Sequence, residues 1–524
     1  MNPTDPVLHF ATGDAVVLVA YGAAVLGAGW LAVRRQRGGG AAEYLLAGRS
    51  LTVPLFVMTL VSTWYGGILG VGEFTYSYGI ANWVVQGVPY YVFALLFAFL
   101  LAGKIRESSL TTIPDRLEQA YDRRTALLGA GLTFVLMTPA PYVLMLGILL
   151  QMITGWSLPV CVVVGTVVTT VYLIAGGFRA DVYTDVLEFV LMFAGFGLII
   201  PFAVSTFGGW DVLSEHLPPL HLTLHGGHSA QFILVWFFIA LWTLVDPAFY
   251  QRCAAAASGA VARKGILWSI VFWIVFDMMT VTVGLYARAI LPPLGQPVMA
   301  YPMLAEHLLP PVAKGLFFTG LLATIMSTLN TLAFVSGTTL GRDLVMRQRR
   351  RGGFALSGGR TEGVDQHEAS GRDHRIENGM DLHTGADLHA GERRGDRTEN
   401  GTETLSEKKW VQAGLLVSAL LAVVLALLIP SVIKLWYTIG TVIVPGLLIP
   451  LVSTYFPSLR VGARTGFSVM LAGWLTSTVW LLAGWTRELG VSEYYPFGIE
   501  PMYPGLAVSV LLWAWGRLTR SRES

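Results

Sequence analysis

The stretch STWYGGILG, Ser62–Gly70, stands at the middle of an apolar run from Leu51 to Gly79 that is long enough to cross a membrane. Glycine weakens a helix, and in hydrocarbon a backbone group freed from its partner costs several kcal/mol. A helix weakened at its midpoint therefore marks a place where protein, water or an ion satisfies the freed groups. A second such place is ALWTLVDPAFYQR, Ala240–Arg252, where Pro247 removes a helical hydrogen bond within an apolar run and Thr243 and Asp246 sit beside it.

Working outward, the 524 residues are 54% hydrophobic and only 13% charged, against roughly 25% charged in soluble domains. That balance predicts an integral membrane protein. Its apolar runs are continuous rather than alternating, which predicts an all-α architecture and excludes a barrel. Thirteen spans are expected, at about residues 15–33, 52–78, 83–102, 126–153, 158–175, 182–207, 232–250, 266–286, 315–339, 411–429, 435–455, 465–483 and 503–515. The N-terminal segment lacks the basic region of a signal peptide, so the first span is expected to be retained. Alternate loops are basic, among them those carrying Arg34 and Arg35, Lys104 and Arg106, Arg179, Arg252 and Arg263, and Arg347 to Arg351. The positive-inside rule then predicts an external N-terminus and a cytoplasmic C-terminus in the cell membrane.

Between the ninth and tenth spans, residues 347–409 are polar, glycine-rich and carry four of the ten histidines. A disordered cytoplasmic loop is expected there. The remaining histidines read as scattered surface residues, and Cys161 and Cys253 as small core residues without metal-like spacing. No phosphate-binding glycine loop with a following lysine is present, and no other enzyme constellation, so an enzyme is not expected. Basic residues flank membrane spans, which argues against nucleic acid as a partner.

The ninth span contains LLATIMSTLNT, Leu321–Thr331, in which Thr324, Ser327, Thr328 and Thr331 fall at i, i+3, i+4 and i+7. Their hydroxyls form one stripe on an apolar helix. Hydroxyls and carbonyls without nitrogen or sulfur suit a hard cation such as sodium. The alternative is that each hydroxyl bonds the carbonyl four residues back. Asp185, Asp246 and Asp277 place carboxylates within spans, a costly arrangement that marks an ion path or a paired charge. Asp185 is read as reaching the interface near Arg179 or as an ion ligand, and Asp277 has no evident partner.

LAGRSL, STWYGG, GGFRADVYTD, DPAFYQR and ATIMSTLNT occur in this order, and over about residues 42–455 the chain resembles the sodium:solute symporter family. The resemblance implies a LeuT-type 5+5 inverted repeat, spans two to eleven, with one helix before and two after. The segments are then 1–51 (external N-terminus, first helix, basic loop), 52–207 (first repeat), 208–346 (start of the second repeat), 347–409 (loop), 410–456 (its last two helices) and 457–524 (two additional helices and a basic tail).

The breaks lie five spans apart, as inverted repeats with discontinuous opening helices require. By position, the resemblance implies sodium held by backbone carbonyls of Ser62, Tyr65 and Thr324 and the hydroxyls of Ser327 and Thr328. A second sodium in some relatives would correspond to Asp185, Ser327, Asn330 and Thr331, although Asn330 replaces the usual hydroxyl. Matched substrate and gate positions are Trp64, Gly66, Leu69, Trp242, Thr243 and Asp246; Trp64 and Leu69 lack the polar groups of a sugar site. Glu73, Gln86 and Glu188 are further polar residues near the expected path. The implied function is sodium-coupled import of a small polar organic solute across the lipid bilayer by alternating access, with Na+ as the coupling ion. The alternatives are a sensor built on a symporter fold and a passive channel.

Overall fold

The computed structural model describes residues 8–34, 41–349, 388–429, 431–484 and 495–520. Among these, every regular element is a helix, apart from one isolated bridge between Leu51 and Ala256. Eleven helices are long and apolar enough to span a bilayer. They are α1 (Thr12–Ala32), α2 (Val53–Tyr78), α3 (Trp83–Leu100), α4 (Arg123–Thr154), α6 (Gly177–Phe207), α7 (Ala230–Ala255), α8 (Gly259–Ile290), α9 (Ala313–Arg349), α10 (Glu407–Leu428), α11 (Val432–Ser453) and α12 (Ala463–Ala483). Two further helices, the shorter α5 (Leu158–Val171) and α13 (Met502–Arg520), stand at the remaining expected positions but are not among the eleven. Helices thus stand at the thirteen expected positions in order, and among the described residues eleven of them are long and apolar enough to span.

The run Leu158–Phe207 is one helical stretch except at Gly177, whose φ of 60° no side-chain-bearing residue adopts cheaply. That glycine separates α5 from α6. Of the segment 347–409, residues 350–387 lie outside the described residues, and its end falls within the helix Leu388–Leu428. The histidines at 367, 374 and 383 are among those outside.

α9 is the central helix. In its apolar stretch 94% of residues are buried, against 22% in α1. A helix apolar all round belongs inside a bundle, and α9 does so with α6, α1, α2, α4 and α10 packed around it. α8 lies against α2, and α11 carries α12 and α13 on its other side. The hydroxyl stripe of α9 and both weakened helices therefore sit in the middle of the bundle.

Candidate functional site

α2 is helical over Val53–Trp64, tightens to a 3-10 turn at Tyr65–Gly67, and resumes at Ile68–Tyr78. None of its glycines has a positive φ. Their reason is close approach: a Cβ on Gly66 would stand 2.2 Å from the Thr328 side chain, one on Gly67 would stand 2.1 Å from Trp436, and one on Gly72 would stand 2.8 Å from Tyr301. α7 is interrupted likewise, by a 3-10 segment at Ala240–Val245 and an extended Asp246 that caps the helix Pro247–Ala255, accepting from the Ala248 amide at 2.7 Å.

The α9 stripe reaches across to α2 and α6. Ser327 donates to Asp185 Oδ1 at 2.5 Å, Thr331 to Asp181 Oδ2 at 2.6 Å, and Thr328 to the Thr63 carbonyl. Only Thr324 bonds the carbonyl four residues back, Gly320, at 2.6 Å. Ser62, likewise, turns its hydroxyl to the Met58 carbonyl at 2.8 Å. Ser62, Tyr65, Thr324, Ser327 and Thr328 are all buried, with Gly66 packed against Thr328 between the two groups.

The charge pattern of the sequence assigns Arg252 to a basic loop. The arginine is fully buried. Its Nη2 donates to Thr63 Oγ1 at 2.6 Å, Thr59 Oγ1 at 2.9 Å, Thr331 Oγ1 at 3.0 Å and Asp185 Oδ2 at 3.3 Å, with Asp181 at 3.8 Å. Thr59 also donates to Asp185. Asp185 therefore pairs with Arg252, whereas Arg179 pairs with Glu43. The guanidinium thus contacts Asp185 and Thr331, two of the four groups matched to a second ion, and Ser327 bonds the same Asp185. Both polar side-chain atoms of the fourth, Asn330, are buried without a partner. Thr59, Thr63, Asp181 and Arg252 were missed, although Thr59, Ser62, Thr63 and Gly66 follow the same i, i+3, i+4, i+7 pattern that singled out α9.

Beside these groups lies a cavity of about 120 Å³. Trp64, Trp242 and Asp246 line it, together with Gln86, Tyr90, Tyr142, Trp236, Phe249, Asp277 and Trp436. Thr63, Tyr65, Gly67 and Thr328 face it as well, so the cavity and the stripe share a wall. Gly66, Leu69 and Thr243 do not line it, nor does Glu73. Glu188 is fully buried and accepts from Tyr21 at 3.3 Å. Asp277 has the partner that sequence could not supply, the Tyr91 hydroxyl. His221, expected on the surface, is buried and meets the Tyr76 carbonyl at 2.9 Å. Burial holds its imidazole below the usual range. Both cysteines are buried and free, and no group of metal-ligating side chains occurs among the described residues.

Residues 44–354, more than half of the chain, match the description Sodium:solute symporter family. The chain is 28% identical over 404 residues to Sodium/glucose cotransporter 4 of Mus musculus, covering 66% of this chain and 58% of that one. It is 26% identical over 351 residues to the Sodium/pantothenate symporter of Haemophilus influenzae, covering 64% and 72%. It is 24% identical over 270 residues to High affinity choline transporter 1 of Homo sapiens, covering 48% and 46%. The chain thus spans about half the length of the glucose and choline carriers. Among solved structures, it superposes on a Na+-coupled sialic acid symporter in a substrate-bound outward-open state with a TM-score of 0.70, at 14% identity and over 98% of both chains. A nucleobase-cation-symport-1 family transporter in a closed conformation gives 0.55, at 11% identity, over 91% and 95%. These likenesses establish the expected LeuT-type fold.

Proposed function

The chain belongs to the sodium:solute symporter family, and we propose that it imports a small polar organic solute by coupling its movement to sodium. The observation that carries this reading is the shared wall: Thr328 lines the cavity while its helix presents Ser327 and Thr328 to Thr63, just before the α2 break. An ion bound there would tie α2 to α9, and a solute in the cavity would sense that tie directly. The sodium ligands we propose are the carbonyls of Ser62, Tyr65 and Thr324 and the hydroxyls of Ser327 and Thr328. Buried oxygen donors of this kind suit a hard cation. Trp64, Trp242 and Asp246 are the proposed solute contacts.

We read one sodium per cycle, because Arg252 already supplies a positive charge among Asp185, Thr331 and their neighbours. We propose an external N-terminus and a cytoplasmic C-terminus, a reading that the distribution of loop arginines supports. The relatives named for glucose, pantothenate and choline support a small organic solute without choosing one.

Sodium binding tests the reading first. In purified protein, sodium is expected to raise the melting temperature relative to potassium, and Ser327→Ala and Thr328→Ala should each weaken that response at least tenfold. Unchanged sodium affinity in both variants would sink the site. Sodium flux that needs no solute would favour a passive channel instead.

A further inference from the structure

We infer that the solute carries a positive charge, a small organic ammonium held between Asp246 and Asp277 and the aromatic faces around Trp64. This rests on the reading that the cavity is the solute site. Two carboxylates line the cavity, and no lysine or arginine does. The one buried cation nearby, Arg252, is committed elsewhere: its terminal nitrogen is shared by Asp185, Asp181 and three threonines. Among the described residues, neither Asp246 nor Asp277 forms an ion pair, although only 7% and 8% of their surfaces are exposed. Asp246 accepts from the Ala248 amide and Asp277 from the Tyr91 hydroxyl, neutral donors rather than ion-pair partners. A carboxylate buried without an ion-pair partner is costly. A cationic solute relieves that cost at each carboxylate; an anion would worsen it.

The rest of the wall fits the same chemistry. The Trp64 ring lies 5.0 Å from that of Tyr90, 5.5 Å from that of Phe249 and 5.3 Å from that of Trp273. Trp236, Trp242 and Trp436 complete a cavity rich in electron-dense faces. Such faces attract a weakly hydrated ammonium, and tryptophan does so best. At about 120 Å³ the cavity holds the equivalent of about four waters, room for a compact ammonium rather than a large one.

Choline and its uncharged isostere 3,3-dimethylbutan-1-ol separate charge from shape. Full-length protein in detergent is titrated with each, in sodium and in potassium, and thermal denaturation is read, with tetramethylammonium and ethanolamine as further probes. Choline is expected to stabilise at concentrations at least tenfold below those needed for the isostere. Asp246→Asn, which keeps the helix cap, should erase that preference, and Trp64→Leu should weaken choline at least threefold. Equal potency of the isostere, or no stabilisation by any of the three ammonium probes, overturns the proposal. The underlying reading fails separately: if choline stabilises equally in potassium and sodium, the charge assignment stands and the coupling does not.

Discussion

Gly66 is the residue on which the site closes. An added Cβ would meet Thr328 Cβ and Oγ1 at 2.2 Å and Tyr142 at 2.8 Å, and the Thr328 contact lies too near its backbone to swing away. Gly66→Ala should therefore force α2 away from α9, an overpacking cost of about 1–3 kcal/mol. Sodium affinity is expected to fall at least tenfold, while Gly27→Ala on α1, whose Cβ meets nothing within 4 Å, should leave it unchanged. Equal sodium responses in the two variants would remove Gly66 from the site. The sequence made this glycine conspicuous but suggested an opened helix; at Tyr65–Gly67 the backbone tightens, and the glycines serve contact instead. Arg252 was less legible for a physical reason. An arginine near the end of an apolar run ordinarily reaches the interface, and only tertiary structure brings Thr59, Thr63, Asp185 and Thr331 around it.

At the scale of elements, helix order and both interruptions were legible, because hydrophobic runs and a mid-span Pro247 leave direct marks. What joins α9 to its neighbours at its far end was not, since its contacts with Asp115 cross more than 200 residues. There the short helix Ile113–Ala120 begins with a capping box in which Thr112 accepts from the Asp115 amide. Asp115 in turn accepts from Arg342 at 3.0 Å and Arg347 at 2.6 Å, and both arginines also reach Asp343. Arg342 extends the cluster to Glu407 on α10 at 2.7 Å. Burial pushes the Asp115 carboxyl up, but the two guanidinium groups and the Thr112 hydroxyl outweigh it and hold it below the usual range. A depressed carboxyl contributes stability above its unfolded pKa, near ~3.9, and loses it as pH falls through the lower folded value. Asp115→Asn should thus lower the melting temperature at neutral pH and cost progressively less as the pH drops below about 4. Combined with Arg347→Ala it should show a coupling of about 0.5–3 kcal/mol. Strict additivity would mean that the cluster is not a latch between these elements.

For the whole molecule, the charge of the solute decides how far the gradient can drive it. One sodium entering down ~100 mV gains about 2.3 kcal/mol, and a tenfold concentration ratio adds about 1.4 kcal/mol. Their sum could concentrate a neutral solute roughly several hundredfold at one-to-one coupling. A monovalent ammonium would gain a further ~2.3 kcal/mol from its own charge, lifting the limit to the order of ten thousandfold. Such a transporter moves two positive charges inward per solute, and one carrying a neutral solute moves one. Proteoliposomes clamped at a series of potassium diffusion potentials measure that ratio, as net charge against labelled choline taken up in sodium. Two charges per choline are expected from one sodium and an unneutralised solute. A ratio of one would mean that choline moves with no net sodium charge, alone or with a cation leaving in exchange, and then Arg252 and its acidic neighbours on α6, rather than Asp246, become the residues to substitute next. A ratio of three would require a second sodium, and the buried, partnerless Asn330 would be the first residue tested for it.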